Sequence, residues 1–199
     1  MKKHLFALCS LALLSSPSFA DGYNGAFGQT WGMTEQEVRD TGTDLRPEPG
    51  STSAIKLFRS NNPPLSTNYA DFYQIRFTDK GLQKITMVSP IITNDRYAKK
   101  GKKLYREIKK ILTKQYGMPT MESETSGLSV WKEEDEFYLC MMNFGVSEES
   151  AKEKSCGYWG AFYDVETTEL GVELKGIKID SGLVLLHYEG PHWMSYLKS

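Results

Sequence analysis

The chain has few of the residues that enzymes most often use for catalysis or metal binding. It contains three histidines and three cysteines among 199 residues, and it has no Gly-x-Ser-x-Gly segment, the sharp turn that exposes the nucleophile of many serine hydrolases. Its longest apolar run, Leu5 to Leu14, spans about ten residues, whereas a membrane-spanning helix needs about twenty. We therefore expect no transmembrane segment, no catalytic motif and no cofactor.

That apolar run has the features of a cleavable signal peptide. It follows Met1-Lys2-Lys3 and ends at Ser18-Phe19-Ala20, the small-x-small pattern that signal peptidase cuts. Cys9 lies in the middle of the run and not at the cleavage point, which argues against a lipid anchor. We predict that residues 1–20 are removed and that residues 21–199 form a single periplasmic domain.

The charge of the mature chain is nearly balanced. Removal of residues 1–20 takes away two lysines and no acid, which leaves 22 basic and 25 acidic residues. A nucleic-acid-binding protein normally carries a basic excess. We therefore expect no nucleic acid among its partners.

Only two cysteines remain after processing, Cys140 and Cys156. An even pair in an exported protein predicts a disulfide, with two free buried thiols as the alternative. Closing a loop of about 15 residues is worth about 3 kcal/mol in the chain-entropy model.

The pattern of apolar residues predicts an α+β fold with helices packed on an antiparallel sheet. Thr34 and Glu37 form the capping box of a short helix that ends at Gly42. Residues 73–77 and 82–88 alternate around the turn at residues 79–81 and predict a hairpin. A longer helix is predicted after Thr93 or Asn94, with an apolar stripe of Tyr97, Gly101, Leu104, Ile108, Ile111 and Leu112.

Further strands are predicted at residues 54–59, 128–132, 137–144, 156–163, 172–179 and 183–189. The order helix, strands, helix, strands indicates two possible halves, residues 21–90 and 91–199, each a helix followed by a β-meander.

One segment resembles known bacterial families. Phe27-Gly28-Gln29-Thr30-Trp31-Gly32-Met33-Thr34 is similar to the opening of many small exported bacterial proteins. Part of it, with Val38, also resembles the helix start in the small lipoprotein of the β-barrel assembly machinery and in β-lactamase-inhibitor proteins. The resemblance implies a binding module with helices on an antiparallel sheet. It says less about function than about fold.

Several polar clusters are possible catalytic, metal-binding or lipid-binding sites. His187 and His192 with Glu189 could form a mixed metal site or a catalytic one, although packed or surface histidines are the simpler interpretation. The acidic runs at residues 133–136 and 148–149 fit solvated turns better than a pair of glycosidase carboxylates. The lysine-rich face of the longer helix could meet anionic lipid, or it could be a solvated side. No catalytic or metal site is therefore predicted.

The segment enclosed by the predicted disulfide is the strongest candidate for partner contact. Residues 141–155 are mostly polar, and a staple at their base would pre-order them for binding. We predict that Glu148, Glu149 and Glu153 contact the partner, although the segment could also be a charged hairpin with no partner.

These features favour a non-enzymatic protein-binding module, most simply an inhibitor or immunity protein that neutralises an envelope-targeted toxin or enzyme. One alternative is an accessory factor in cell-envelope or outer-membrane assembly. The other is a small periplasmic hydrolase with an unrecognised site.

Overall fold

A computed structural model describes residues 24–126, 137–142, 157–166 and 168–197. The strands and helices follow in this order: β1 Gly25–Ala26, β2 Gln29–Thr30, α1 Glu35–Asp40, β3 Arg46–Pro47, β4 Lys56–Ser60, β5 Phe72–Thr78, β6 Gly81–Val88, α2 Lys99–Tyr116, β7 Met121–Ser126, α3 Phe137–Met142, β8 Gly157–Val165, β9 Thr168–Lys178, β10 Ser181–Glu189 and α4 Trp193–Leu197. The predicted α+β class with a dominant antiparallel sheet is confirmed. Among the described residues, no helix combines the length and the apolar character needed to cross a membrane.

The main sheet has eight described strands in the order β3-β4-β5-β6-β10-β9-β8-β7, and every neighbouring pair is antiparallel. Strands β3 to β6 form one meander and β7 to β10 form another, so the two meanders meet where β6 pairs with β10. This order is compatible with two successive halves. The division at residues 90 and 91 stays a prediction.

The two faces of the sheet differ in composition. In β10, Val184, Leu186 and Tyr188 are buried, whereas the alternate residues Leu185 and His187 are only partly buried. Side chains alternate between the faces of a strand, so the first set defines a core face and the second an outer face. Five tyrosines, at positions 73, 105, 138, 163 and 188, are almost completely buried.

The local predictions at the N-terminal end are confirmed. The Thr34 side chain accepts a hydrogen bond from the Glu37 N–H at 3.2 Å, and the Glu37 carboxylate accepts one from the Thr34 N–H at 2.7 Å. Val38 is buried on this helix, and Gly42 adopts a φ of +91° just after it. The hairpin of β5 and β6 also forms as predicted.

The predicted strand over residues 137–144 is wrong, because residues 137–142 form helix α3. Phe137, Tyr138, Cys140 and Met141 are buried, which is the spacing of one helical face. A short apolar run does not distinguish a strand from a buried helix. The predicted strand at residues 128–132 lies outside the described residues.

Strand β7 was not predicted, because its sequence, Met-Glu-Ser-Glu-Thr-Ser, lacks an apolar alternation. Backbone hydrogen bonds to β8 hold this strand in the sheet.

The start of α2 also differs from the prediction. Asn94 and Ala98 both have a φ of 53°, so the chain turns twice before the helix begins at Lys99, without a cap from Thr93 or Asn94. Tyr97 is 53% exposed and lies outside the apolar stripe. Tyr105, which the prediction omitted, is buried in that stripe.

Candidate functional site

The predicted partner-contact residues Glu148, Glu149 and Glu153 lie outside the described residues, and so does Cys156. Cys140 is buried in α3. The disulfide and the contact residues therefore stay predictions. The described elements on either side of these residues are α3, which ends at residue 142, and β8, which begins at residue 157.

Helix α3 lies directly against β9 at this point. A Cβ atom added to Gly176 would come within 1.9 Å of the Tyr138 backbone oxygen and 3.0 Å of Met142 Cγ. Gly176 pairs with Gly182 of β10, where an added Cβ would meet the Tyr138 ring at 2.2 Å. Glycine at both positions allows the helix to approach the end of the β9–β10 hairpin.

The segment before α2 joins the same end of the sheet. Ile92 and Gly182 exchange two backbone hydrogen bonds, of 2.8 and 3.1 Å, and the Asp95 N–H donates to the Asp180 carbonyl at 3.0 Å. Residues 91–97, the end of α3 and the β9–β10 turn are thus held together. They come from three separate stretches of the sequence.

Four large apolar side chains on these three stretches are exposed to solvent. Ile91 is 59% exposed, Tyr97 53%, Met142 44% and Ile179 40%. We call these four residues the apolar end. Single exposed apolar residues are ordinary, whereas a group of them marks an interaction surface.

Asp95 anchors the apolar end to the core. Its buried carboxylate accepts hydrogen bonds from the Lys100 N–H at 3.0 Å, the Gly101 N–H at 2.9 Å and the Tyr138 hydroxyl at 2.9 Å. It therefore caps α2, ties that helix to α3 and carries negative charge at a helix N-terminus, where charge of that sign is favourable. Burial and the neighbouring Asp95 carboxylate raise the pKa of Tyr138, so its hydroxyl remains a donor.

Four exposed basic side chains lie close along the chain to residues of the apolar end. Arg96, Lys99, Lys100 and Lys178 are exposed, and we call these four the basic rim. The Lys99 ammonium lies 5.9 Å from the centre of the Tyr97 ring, and the Lys100 ammonium donates to the Thr93 carbonyl at 3.2 Å.

Other basic residues of α2 are used within the fold. The Lys102 ammonium lies 4.1 Å from the Phe137 ring centre. Lys109 pairs with Glu122 and Glu124 of β7, and although burial opposes its charge, those hydrogen bonds raise its pKa. The lysine-rich face predicted from the sequence is therefore divided among internal contacts, the basic rim and other exposed residues such as Lys110 and Lys114.

The outer face carries a chain of polar contacts across four strands. Arg76 Nη1 donates to Thr86 Oγ1 at 3.2 Å, Thr86 Oγ1 lies 3.1 Å from His187 Nδ1, and His187 Nε2 lies 3.4 Å from Glu173 Oε1. Because arginine can only donate, the contacts are all satisfied when the Thr86 hydroxyl donates to Nδ1 and the Nε2 proton faces Glu173. This assignment describes a neutral imidazole.

The groups of this cluster shift one another's pKa. Burial lowers the pKa of His187 and outweighs the opposing effect of Glu173. Burial also disfavours the Glu173 carboxylate, but the hydrogen bonds from His187 and Lys175 and the positive charge of Lys175 lower its pKa to about 2. The Lys175 ammonium lies 2.6 Å from that carboxylate.

Thr86, His187 and Glu173 follow the order of hydroxyl, imidazole and carboxylate found in hydrolytic sites. Thr86, however, is only 2% exposed, and both imidazole nitrogens face partners within the fold. A substrate cannot reach a hydroxyl in that position. The arrangement stabilises a polar sheet face and presents no accessible nucleophile at Thr86.

Two of the side chains considered as metal ligands have other partners. Glu189, the proposed third ligand, pairs with Lys84, and the His187 ring lies between Thr86 and Glu173. Across the described ranges, no group of three or more histidine, cysteine, aspartate or glutamate side chains is placed to hold a metal ion.

No protein-family model, curated protein or solved structure matches this chain. The resemblance to the assembly lipoprotein and to β-lactamase-inhibitor proteins therefore stays a prediction.

Proposed function

We propose that the protein is a non-enzymatic protein-binding module of the bacterial periplasm. In this proposal, residues 21–199 form the mature domain, in which helices pack on one face of the sheet. The domain neutralises another protein, such as a toxin delivered into the envelope. The observation that carries the proposal is the exposure of the apolar end, Ile91, Tyr97, Met142 and Ile179, of which Met142 is the last residue of α3.

The apolar end has the composition of an interface centre. Protein interfaces place apolar and aromatic side chains, including tyrosine and methionine, at the centre and polar groups at the rim. The Asp95 anchor and the paired Ile92 and Gly182 backbones hold the surface in place before binding. A pre-ordered surface loses less conformational entropy on association.

In this proposal, the segment enclosed by the predicted disulfide adds acidic contacts to this surface. The part of this segment that follows α3 begins at residue 143, directly after Met142, so Glu148, Glu149 and Glu153 are tethered to the apolar end. Carboxylates there would orient the partner and speed its association.

Capture from envelope extracts tests the proposal. Tagged, oxidised mature protein is compared with the double variant Ile91→Ser/Ile179→Ser and with the control Leu65→Ser, which changes a residue 49% exposed in a segment bonded to Phe27 instead. We expect the wild type and the control to retain a specific partner and the double variant to lose it, with similar melting temperatures for all three. Equal capture by the double variant would contradict the proposed surface.

The identity of the captured protein separates the two non-enzymatic roles. A secreted toxin or an envelope enzyme supports neutralisation. Recovery of outer-membrane assembly proteins, in a manner that depends on Ile91 and Ile179, supports the accessory role.

A further inference from the structure

We infer that the partner of the apolar end presents carboxylates around an apolar centre, and that the basic rim pairs with those carboxylates. This inference rests on the proposed function and adds the chemistry of the partner to it.

The first support is that the three lysines of the basic rim are not paired with acids among the described residues. Asp180 is the acidic residue of the neighbouring turn. Within the described residues, Lys99, Lys100 and Lys178 form no ion pair, whereas Lys84, Lys109 and Lys175 each pair with a glutamate. Cations beside exposed apolar groups match a surface that is both apolar and acidic.

The second support is geometric. Lys99 and Lys100 begin α2, whose first turn is capped by the Asp95 anchor, and Lys178 ends β9 beside Ile179. Their Cα positions are therefore set by the same contacts that hold the apolar end. Charges on a fixed frame can select the orientation of a partner as well as attract it.

Anionic lipid fits the same surface less well. Membrane-surface helices expose an apolar face, but α2 buries its own apolar residues Tyr105, Ile108 and Leu112. A protein surface can place an apolar centre against the apolar end and carboxylates against the basic rim.

Zero-length coupling with a carbodiimide provides a direct test, because it joins a lysine amine only to a carboxylate in contact with it. The reagent is added to wild-type protein in envelope extract, and coupled peptides are identified by mass spectrometry. We expect amides from Lys99, Lys100 or Lys178 to aspartate or glutamate of the captured protein. Lys110 and Lys114, exposed on the later turns of α2, serve as internal controls and should not couple to it.

Charge reversal gives an independent measurement. The variant Lys99→Glu/Lys178→Glu should capture its partner about tenfold less well at low salt, and the deficit should shrink as salt screens the charges. The matched control Lys110→Glu/Lys114→Glu makes the same change in net charge and should capture normally.

The outcomes separate this inference from the proposed function. Loss of capture in Ile91→Ser/Ile179→Ser, with normal capture by Lys99→Glu/Lys178→Glu and no rim amides, overturns the inference and leaves the function standing. Capture that none of these changes affects overturns both, as does the absence of any captured protein. Flotation with phosphatidylglycerol-rich vesicles but not with phosphatidylcholine vesicles, without rim amides, replaces the protein partner with lipid.

Discussion

Replacing Asp95 with alanine removes a side chain that links α2 and α3 to the segment before α2. The carboxylate accepts three hydrogen bonds of 2.9 to 3.0 Å, from the Lys100 N–H, the Gly101 N–H and the Tyr138 hydroxyl. Asp95 is 6% exposed and Tyr138 is completely buried. Water cannot readily replace the carboxylate at Tyr138, so the hydroxyl would be left without its acceptor.

The cost follows from these contacts. A hydrogen bond to a charged group contributes about 1.5–3 kcal/mol, and a buried donor left without a partner costs about 1–3 kcal/mol. Loss of a helix cap by itself typically costs about 1 kcal/mol. Because the three contacts share one carboxylate they do not add fully, and we expect Asp95→Ala to lower the free energy of unfolding by about 3–5 kcal/mol.

Urea denaturation of the oxidised mature protein measures this change. Asp40→Ala is the control, because Asp40 is exposed and accepts one hydrogen bond, from Gln36, so its loss should stay within about 0.5 kcal/mol. In a double-mutant cycle, Tyr138→Phe should cost much less once Asp95 is alanine. A loss below about 1 kcal/mol for Asp95→Ala, or full additivity with Tyr138→Phe, would refute the anchor.

Three further predictions concern pH, packing and the thiols. The folded protein holds the pKa of Glu173 at about 2 against an ordinary 4.5. The resulting stabilisation, at most about 3 kcal/mol, is complete above pH 4.5 and is lost as the pH falls toward 2. Glu173→Gln should therefore reduce the dependence of the urea midpoint on pH over that range, and an unchanged dependence would count against this role. Gly101→Ala should destabilise by about 2 kcal/mol despite alanine's higher helix propensity, since its Cβ would lie 2.2 Å from the Tyr138 hydroxyl oxygen; a rise in the urea midpoint would show that the contact relaxes. Cys140→Ser should lower the free energy of unfolding by about 3 kcal/mol. If Cys140 is joined to Cys156, native wild-type protein should have no thiol that can be alkylated, whereas two alkylated thiols would rule out the disulfide.

Elements governed by neighbouring residues could be predicted from the sequence. The capping box of Thr34 and Glu37 needs only four residues, and the hairpin of β5 and β6 needs an alternating pattern and a tight turn with Gly81, whose φ is +76°. In both, the stabilising contacts lie close along the chain, so the pattern and the structure agree.

The elements that were predicted wrongly depend on distant partners. Helix α3 is held at residues 137–142 because Tyr138 bonds to Asp95, and because the Tyr138 backbone fits against Gly176 and its ring against Gly182. The polar β7 is held by pairing with β8 and by the contacts of Lys109 with Glu122 and Glu124. Local propensity carries no information about such contacts.

The candidate surface was decided almost entirely by tertiary structure. The sequence by itself predicts the export signal, the cysteine pair and the acidic segment that the pair encloses, because these depend on residue type and spacing along the chain. Only the fold brings Ile91, Tyr97, Met142 and Ile179 to one end and leaves them exposed. Similarly, His187 meets Thr86 and Glu173 only because β10 pairs with β6 on one side and β9 on the other, since the exposure and partners of a side chain are properties of the packed chain, not of its neighbours in sequence.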